Sequence, residues 1–225
     1  MLQLFIKDFQ TKNKTKISNL FYGITRSTMK CEECQITKYA FQTFNLLIFQ
    51  LKKVKEGKNK ELEEYYDNYN ETLNIYDAFN IEILEGENMI YCNNCNCLRK
   101  GKHQQKIFMT PKVIIIVLNR GKNNVDFNEE FDFPLYLDLN NRGIIINPIS
   151  CHKYYLCGVI THLGESSSSG HFIEYCREGP ASQFFCYNDA SINPVKNEVA
   201  IKQLFLIMIM KKRLLMFCFI IIYNS

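Results

Sequence analysis

The sequence has no tryptophan and no internal repeat, and its first residues lack the pattern expected of a secretory leader. The lack of tryptophan, beside many Asn, Lys and Ile residues, reflects genome composition and excludes no function. The chain starts Met-Leu-Gln-Leu-Phe-Ile-Lys-Asp, without a charged region, a long apolar run and a small-residue cleavage site. We therefore expect a protein that is not secreted and that resides in the cytoplasm or the nucleus.

A long uninterrupted hydrophobic run is also missing. The C-terminal end is very apolar, but Lys211-Lys212-Arg213 separates 204–210 from 214–223. Each part is shorter than the roughly 20 residues that a membrane-spanning helix needs. We expect no membrane partner, and we interpret residues 203–225 as an apolar tail that forms a last strand or an aberrant terminus.

The charge distribution shows no concentrated surface for nucleic acid. The formal net charge is only +4 at pH 7, and acidic residues such as Glu61, Glu63 and Asp67 are interspersed with the basic ones. Nucleic acid is therefore not an expected partner.

The apolar residues that are present predict a globular α+β protein dominated by antiparallel strands. Hydrophobic residues make up 47% of the 225, enough for a buried core. The β-branched run 113–118 predicts a buried central strand. Further strands are predicted over 154–163, 171–177, 182–187 and 203–210. A short helix is predicted over 75–84 with Asn74 as its N-cap, and 52–70 is interpreted as a solvated loop.

Four of the ten cysteines form two knuckles, Cys31-x-x-Cys34 and Cys92-x-x-Cys95. A two-residue spacer lets two thiolates bind one cation, and four thiolates complete a closed tetrahedral shell. This pattern predicts structural zinc, with Cys97 left open as a replacement for Cys95. The alternative is two unrelated cysteine pairs. The other cysteines are interpreted as small buried hydrophobic residues: Cys151, Cys157, Cys176, Cys186 and Cys218.

The stretch from Gly164 to Asp189 has the features of a base with a residue that orients it. Small and polar residues from Gly164 to Gly170 predict a mobile loop, and His171 starts the strand that follows. A rigid strand beside such a loop suits a general base. Asn188 and Asp189 could hydrogen-bond its imidazole. A structural strand-edge histidine is the alternative for His171 taken alone.

Ordered motifs over about residues 18–195 resemble the ubiquitin-specific proteases, papain-like cysteine enzymes that remove ubiquitin from proteins. Besides the two knuckles, the motifs are Leu20-Phe21-Tyr22-Gly23, Asn74-Ile75-Tyr76-Asp77-Ala78-Phe79, Thr110-Pro111-Lys112-Val113-Ile114, Leu118-Asn119-Arg120, Phe133-Pro134, Tyr155-Leu156-Cys157-Gly158-Val159, Gly170-His171-Phe172 and Tyr187-Asn188-Asp189. Each motif is weak alone, and their combination and order are specific.

The resemblance implies a papain-like fold with zinc-bearing fingers at about 20–110 and a palm sheet at about 111–202. It implies ubiquitin and ubiquitinated proteins as partners and hydrolysis after ubiquitin's C-terminal glycine. His171 then matches the general base, Asn188 the third triad member and Asp189 the acidic residue beside it. The loop that ends at Gly170 would close over the ubiquitin tail, where small residues permit close approach.

One part of the family pattern is not found in these residues. The family's nucleophilic cysteine lies in a box well before the first knuckle, whereas no cysteine precedes Cys31. We therefore expect the chain to represent the C-terminal part of the catalytic domain. The alternative is an inactive ubiquitin-binding pseudoenzyme or a zinc-stabilised interaction module.

Overall fold

The computed structural model describes residues 2–12, 14–65, 72–79, 82–119, 131–140, 143–146, 153–166, 169–196 and 218–224. The helices are α1 (Leu2–Lys12), α2 (Lys16–Phe21) and α3 (Leu51–Tyr65). The strands are β1 (Gly23–Cys31), β2 (Thr37–Phe44), β3 (Leu47–Gln50), β4 (Leu73–Asn74), β5 (Glu82–Leu84), β6 (Ile90–Cys92), β7 (Cys97–Arg99), β8 (Gly101–Met109), β9 (Val113–Asn119), β10 (Phe131–Asp132), β11 (Tyr136–Asp138), β12 (Lys153–Ser166), β13 (Ser169–Cys176), β14 (Phe184–Asn188), β15 (Ser191–Val195) and β16 (Cys218–Asn224). Within these residues, helices are few, as the α+β prediction requires. None of the described helices combines the length and the apolar character needed to span a bilayer.

The chain folds as two compact units. The first comprises Met1–Asn45, Phe79–Lys112 and Leu139–Cys151, and the second comprises Leu46–Ala78, Val113–Asp138 and His152–Ser225. Each unit is assembled from segments that are distant in sequence, so its core forms only through tertiary contacts. The boundaries expected for the fingers and the palm, about 20–110 and 111–202, stay a prediction.

The first unit is built on a four-stranded antiparallel sheet in the order β2-β1-β8-β5. Ile24 and Ile107 are fully buried at one end of the sheet, whereas the middle of β1 and β8 is half-exposed. On one face, Ser27 Oγ lies 2.6 Å from His103 Nε2, and His103 Nδ1 lies 3.3 Å from Glu82 Oε2. These side chains link β1, β8 and β5 through polar contacts where the apolar core ends.

The second unit contains an eight-stranded sheet. Seven of its strands follow the order β15-β14-β13-β12-β16-β9-β3, and β11 also pairs with β12. Its pairs are antiparallel except for β3 with β9. Strand β9 is largely buried, which confirms the central strand predicted at 113–118. The strand predicted at 203–210 lies outside the described residues, and β16, later in the predicted apolar tail, pairs with both β12 and β9.

The prediction of a solvated loop at 52–70 is wrong over most of its length, because α3 occupies Leu51–Tyr65. Lys, Glu and Leu are good helix formers, so a charged run is compatible with a helix. Lys58 anchors this helix: its Nζ donates to the Thr72 carbonyl oxygen at 2.7 Å and lies 3.0 Å from Asp77 Oδ2. Both side chains of the Lys58–Asp77 pair are almost completely buried.

The prediction of a helix over 75–84 is also wrong. A 3-10 turn spans Ile75–Phe79, and β5 begins at Glu82. The predicted start is nevertheless correct, because Asn74 Oδ1 accepts from the Tyr76 amide at 2.9 Å and Asp77 Oδ2 accepts from the Asn74 amide at 2.8 Å. The extended residues of β5 pair with β8, which provides hydrogen bonds that a longer helix would otherwise supply.

The loop predicted between Gly164 and Gly170 is shorter than expected. Strand β12 continues to Ser166 and β13 begins at Ser169, and these two residues pair with each other. The backbone hydrogen bonds of the hairpin therefore extend into the predicted loop, which reduces the freedom of the residues that precede His171.

We predict that Lys58→Met lowers the free energy of unfolding by about 3–5 kcal/mol, because it leaves the Asp77 carboxylate buried without its cation. The measurement is chemical denaturation of the chain. Lys12→Met is the control, since Lys12 pairs with Asp8 at an exposed position and such pairs contribute about 0–1 kcal/mol. The double variant Lys58→Met/Asp77→Leu should recover much of the loss. Equal effects of Lys58→Met and Lys12→Met would contradict this account.

We predict opposite effects for alanine at two glycines. A Cβ on Gly23 would lie 2.5 Å from ring carbons of Phe44 and 2.7 Å from the Met109 carbonyl oxygen. Gly23→Ala should therefore destabilise the protein by about 1–3 kcal/mol through overpacking. Gly57 lies inside α3, and a Cβ there would meet nothing within 4 Å, so Gly57→Ala should stabilise by about 0.5–1 kcal/mol. Thermal unfolding of the two variants measures both effects, and the same sign for both would contradict the prediction.

Candidate functional site

The four knuckle cysteines converge in the first unit. Cys31 ends β1 and Cys92 ends β6, while Cys34 and Cys95 lie in the turns that follow. The four sulfur atoms all lie within 4.8 Å of one another, and Cys34 Sγ is 3.5 Å from Cys92 Sγ. Cys31 and Cys92 are buried and the other two are half-buried. The arrangement could hold a metal ion.

The two knuckles share a backbone feature that the sequence analysis did not identify. The residue after each second cysteine is left-handed, with φ of 60° at Gln35 and 54° at Asn96. Such a conformation is uncommon outside glycine, although Asn adopts it more readily than most residues. In both knuckles this left-handed residue reverses the direction of the backbone after the second cysteine. The identical spacing of the two motifs is the sequence signal that could have indicated a shared conformation.

The environment of the thiols differs between the members of the cluster. A hydrogen bond from the Cys95 backbone lowers the pKa of Cys92 to about 6, which favours a thiolate at neutral pH. Burial raises the pKa of Cys95 to about 12, while Arg99 hydrogen-bonds its thiol. Cys97 donates to the Cys95 carbonyl oxygen at 3.2 Å and is not a member of the four-sulfur group. The geometry therefore selects Cys95 over Cys97 as the fourth member.

The predicted base and its orienting residue meet in the second unit. His171 lies in β13 and Asn188 is the last residue of β14, and these neighbouring strands pair antiparallel. His171 Nε2 lies 2.5 Å from Asn188 Oδ1. Because an amide oxygen only accepts hydrogen bonds, Nε2 carries the proton, and the lone pair of the neutral ring is on Nδ1. A neutral imidazole in this tautomer can accept a proton at Nδ1.

Asp189 lies beside this pair in the turn between β14 and β15. The turn is closed by the pairing of Asn188 with Ser191, and Asp189 adopts a left-handed φ of 50°. Its Oδ2 is 3.9 Å from His171 Nε2, and its side chain is 82% exposed against 42% for His171. Water screens a charge at this exposure, so the Asn188 hydrogen bond is the stronger of the two constraints on the ring.

Gly170, the residue expected to allow close approach of a substrate, is exposed and immediately precedes His171 in β13. It is thus part of a paired strand rather than of an open loop. Its missing side chain still leaves the backbone beside the imidazole accessible.

Arg177 is a supporting residue that the sequence analysis did not single out. Although its side chain is buried, its Nε donates to the Leu156 carbonyl oxygen and its Nη1 to the Pro180 carbonyl oxygen, each at 2.7 Å. The guanidinium also lies 4.8 Å from the Phe184 ring centre. Arg177 therefore holds the connection between the strand that carries His171 and the strand that carries Asn188.

The remaining described cysteines, Cys157, Cys176 and Cys186, are half-buried rather than fully buried as predicted. Burial raises the pKa of Cys157 and of Cys176, which keeps both thiols protonated at neutral pH. With protonated thiols, Cys157 and Cys176 are unreactive packing residues. Cys151 and the side chain of Cys218 lie outside the described residues.

Comparison with known proteins supports the assignment suggested by these features. A family model described as ubiquitin carboxyl-terminal hydrolase matches residues 2–217. The chain is 24% identical over 198 residues to ubiquitin carboxyl-terminal hydrolase 13 of Saccharomyces cerevisiae, covering 85% of this chain and 24% of that protein. It is 27% identical over 165 residues to ubiquitin carboxyl-terminal hydrolase 17-like protein B of Mus musculus, covering 72% and 32%.

A plant relative gives a similar result. Ubiquitin carboxyl-terminal hydrolase 16 of Arabidopsis thaliana is 28% identical over 181 residues, which cover 76% of this chain and 16% of the relative. The chain thus spans about a third or less of the length of these relatives. The family match extends over nearly the whole sequence and includes both the cysteine cluster and the His171–Asn188 pair. The chain belongs to the ubiquitin carboxyl-terminal hydrolase family and has its papain-like fold.

Proposed function

We propose that this chain contributes the base and orienting groups of a thiol-dependent deubiquitinase. The reaction is hydrolysis of the bond after the C-terminal glycine of ubiquitin, and ubiquitinated proteins are its substrates. The nucleophilic cysteine comes from a segment outside these 225 residues. The observation that carries the proposal is the hydrogen bond between His171 and Asn188, which fixes the tautomer that a base acting on a thiol needs.

In this mechanism His171 accepts the proton of the cysteine thiol at Nδ1. The thiolate attacks the carbonyl carbon of the terminal glycine, and the departing amine takes the proton back from His171 as a thioester forms. Water then attacks the thioester with His171 again acting as base, which releases the carboxylate and regenerates the thiol.

Asn188 acts by holding the ring rather than by transferring a proton. Its oxygen accepts from Nε2 in both the neutral and the protonated imidazole, so the orientation of Nδ1 is the same throughout the cycle. Asp189 Oδ2 lies 3.9 Å from Nε2 on an exposed side chain, so we assign it a secondary role beside Asn188. Gly170 gives the extended ubiquitin tail room beside His171.

The cysteine cluster is assigned to structural zinc. Four sulfurs at about 2.3 Å from a tetrahedral Zn²⁺ are about 3.8 Å apart, which requires only small shifts from separations within 4.8 Å. An all-thiolate set suits a soft ion and leaves no open position for catalysis. Cys31, Cys34, Cys92 and Cys95 would hold the ion. When bound, the ion supplies a cross-link that joins the end of β1 to the β6–β7 hairpin.

A catalytically inactive ubiquitin-binding protein, or a zinc-stabilised interaction module, is the second candidate. The observation that favours it is the absence of cysteine before Cys31 in these residues. Binding of mono-ubiquitin by the 225-residue chain, without cleavage of a C-terminal ubiquitin ester, fits both this candidate and a chain that needs its nucleophile from elsewhere. Restoring a cysteine-bearing segment separates the two.

We predict that activity appears when this chain is fused to the segment of a ubiquitin carboxyl-terminal hydrolase that carries the nucleophilic cysteine. The measurement is turnover of a C-terminal ubiquitin ester. In the fusion, His171→Ala should lower kcat by roughly 10²–10⁴-fold because the general base is lost. Asn188→Ala should cause a smaller loss, and Asn188→Asp should retain activity because a carboxylate accepts the same hydrogen bond.

The control in the fusion is His103→Ala, which removes a histidine of the other unit. An inactive fusion that still binds mono-ubiquitin would favour the second candidate. A His171→Ala fusion as fast as its parent would refute the base assignment.

We predict about one zinc ion per chain, with Cys34→Ser and Cys95→Ser losing it and Cys97→Ser keeping it. Elemental analysis of the purified proteins gives the metal content. Because structural zinc binding contributes about 10–16 kcal/mol in small zinc peptides at pH 7, metal loss should also lower the unfolding midpoint markedly. Metal retained by Cys95→Ser and lost by Cys97→Ser would assign the fourth ligand to Cys97 instead.

A further inference from the structure

Two pairs of like charges lie on one face of the sheet in the first unit. Arg26 of β1 is the direct partner of Lys106 of β8, and Lys30 is the direct partner of Lys102. Side chains directly opposite each other in an antiparallel pair have Cβ atoms about 4.5–5.5 Å apart, and like charges in that position are destabilising. We refer to these four side chains as the basic face.

Among the described residues, only the Lys30–Lys102 pair has a carboxylate close by. Glu32 Oε1 lies 3.5 Å from Lys102 Nζ, which partly neutralises the pair formed by Lys30 and Lys102. Among the described residues no carboxylate lies within ion-pair distance of Arg26 or Lys106. Arg26 Nε is buried, and no hydrogen-bond partner for it lies in the part of the chain that the structure describes. The Arg26–Lys106 pair therefore has excess positive charge and an unused donor.

Aromatic side chains flank the basic face. The guanidinium of Arg26 lies 4.8 Å from the centre of the Tyr39 ring, and Tyr39 is 59% exposed. Phe41, the direct partner of Arg26 on β2, packs edge-on against Phe108 at 5.4 Å. A ligand on this face can thus combine ion pairs with contacts to aromatic rings, as interface residues commonly do.

We propose that the basic face binds an acidic polypeptide segment in an extended conformation. Arg26 and Lys30 are four residues apart in one strand, and this separation corresponds to about 13 Å. An extended peptide with acidic residues at positions i and i+4 places one carboxylate on each like-charge pair. The ligand offsets the repulsion within the sheet, so binding relieves a conflict that the free chain contains.

The spacing favours a peptide over a nucleic acid. Between the two cation pairs lies the neutral pair of Thr28 and Gln104. Charges in a nucleic acid strand recur about every 3.4 Å along the helix axis, which calls for a continuous basic stripe. Two separate basic positions with a hydrogen-bonding pair between them match an alternating peptide better. Glu32, which already lies against Lys102, is an internal example of the same carboxylate recognition.

The test uses the full 225-residue chain and a fluorescent peptide in which glutamate occupies every fourth position among threonine and valine. Fluorescence anisotropy measures the affinity at low and at physiological salt. Arg26→Gln/Lys106→Gln should weaken binding by at least about tenfold, because it removes one of the two cation pairs. A peptide of equal charge with its glutamates adjacent should bind more weakly than the spaced peptide.

Lys38→Gln is the matched control, because Lys38 pairs with Met29 and lies on the opposite face of the same sheet. It should change the affinity by less than about twofold, as expected for a charge outside the interface. Lys106→Gln should also leave the unfolding midpoint equal to or above that of the parent, because it removes repulsion while it removes affinity.

Three results would overturn the proposal. The first is equal binding by the parent and by Arg26→Gln/Lys106→Gln. The second is tighter binding of a single-stranded RNA of the same charge than of the spaced peptide. The third is early unfolding of Lys106→Gln, which would mean that Lys106 stabilises the sheet rather than opposing Arg26.

Discussion

The hydrogen-bond register of antiparallel strands is the constraint on which the candidate site depends. β13 and β14 pair with Glu174 opposite Tyr187, and Asn188 follows directly in β14, where its Oδ1 contacts His171. A shift of one residue would move every side chain of one strand to the other face of the sheet. The buried guanidinium of Arg177 bonds to β12 and to the turn before β14, so it opposes such a shift. The imidazole is therefore oriented by the sheet and not by its own short-range sequence.

The first unit uses the same rule with different consequences. Pairing of β1 with β8 and of β6 with β7 brings the two knuckles together, so that four thiols share one small volume. The pairing of β1 with β8 also places Arg26 opposite Lys106 and Lys30 opposite Lys102 on the basic face. Strand pairing in this unit therefore gathers four sulfurs that could hold a metal ion and also concentrates positive charge on the basic face. Such local conflict within a consistent fold is typical of positions selected for binding.

The wrong secondary-structure predictions concern segments whose local composition is compatible with two different structures. A run rich in Lys and Glu suits either a loop or a helix, and the buried Lys58–Asp77 ion pair anchors α3 in the folded protein. The apolar positions after Asn74 suit a helix, yet pairing with β8 extends them into β5. Small residues near Gly164 indicate mobility, but the hairpin continues through them until Ser166 pairs with Ser169. In each case the backbone follows a pairing in the folded structure that the local composition does not specify.

The sequence by itself determined the chemistry available to this protein: two knuckles of identical spacing, a histidine at the start of a strand, and an Asn-Asp pair at the end of another. These features are local, because ligand spacing and strand periodicity depend on covalent geometry. Only the tertiary structure decided that Cys95 joins the sulfur cluster, that the Asn188 oxygen faces Nε2, and that Arg26 stands opposite Lys106. Those outcomes depend on strand pairing between residues far apart in the chain, and strand register is a property of the folded sheet rather than of any segment within it.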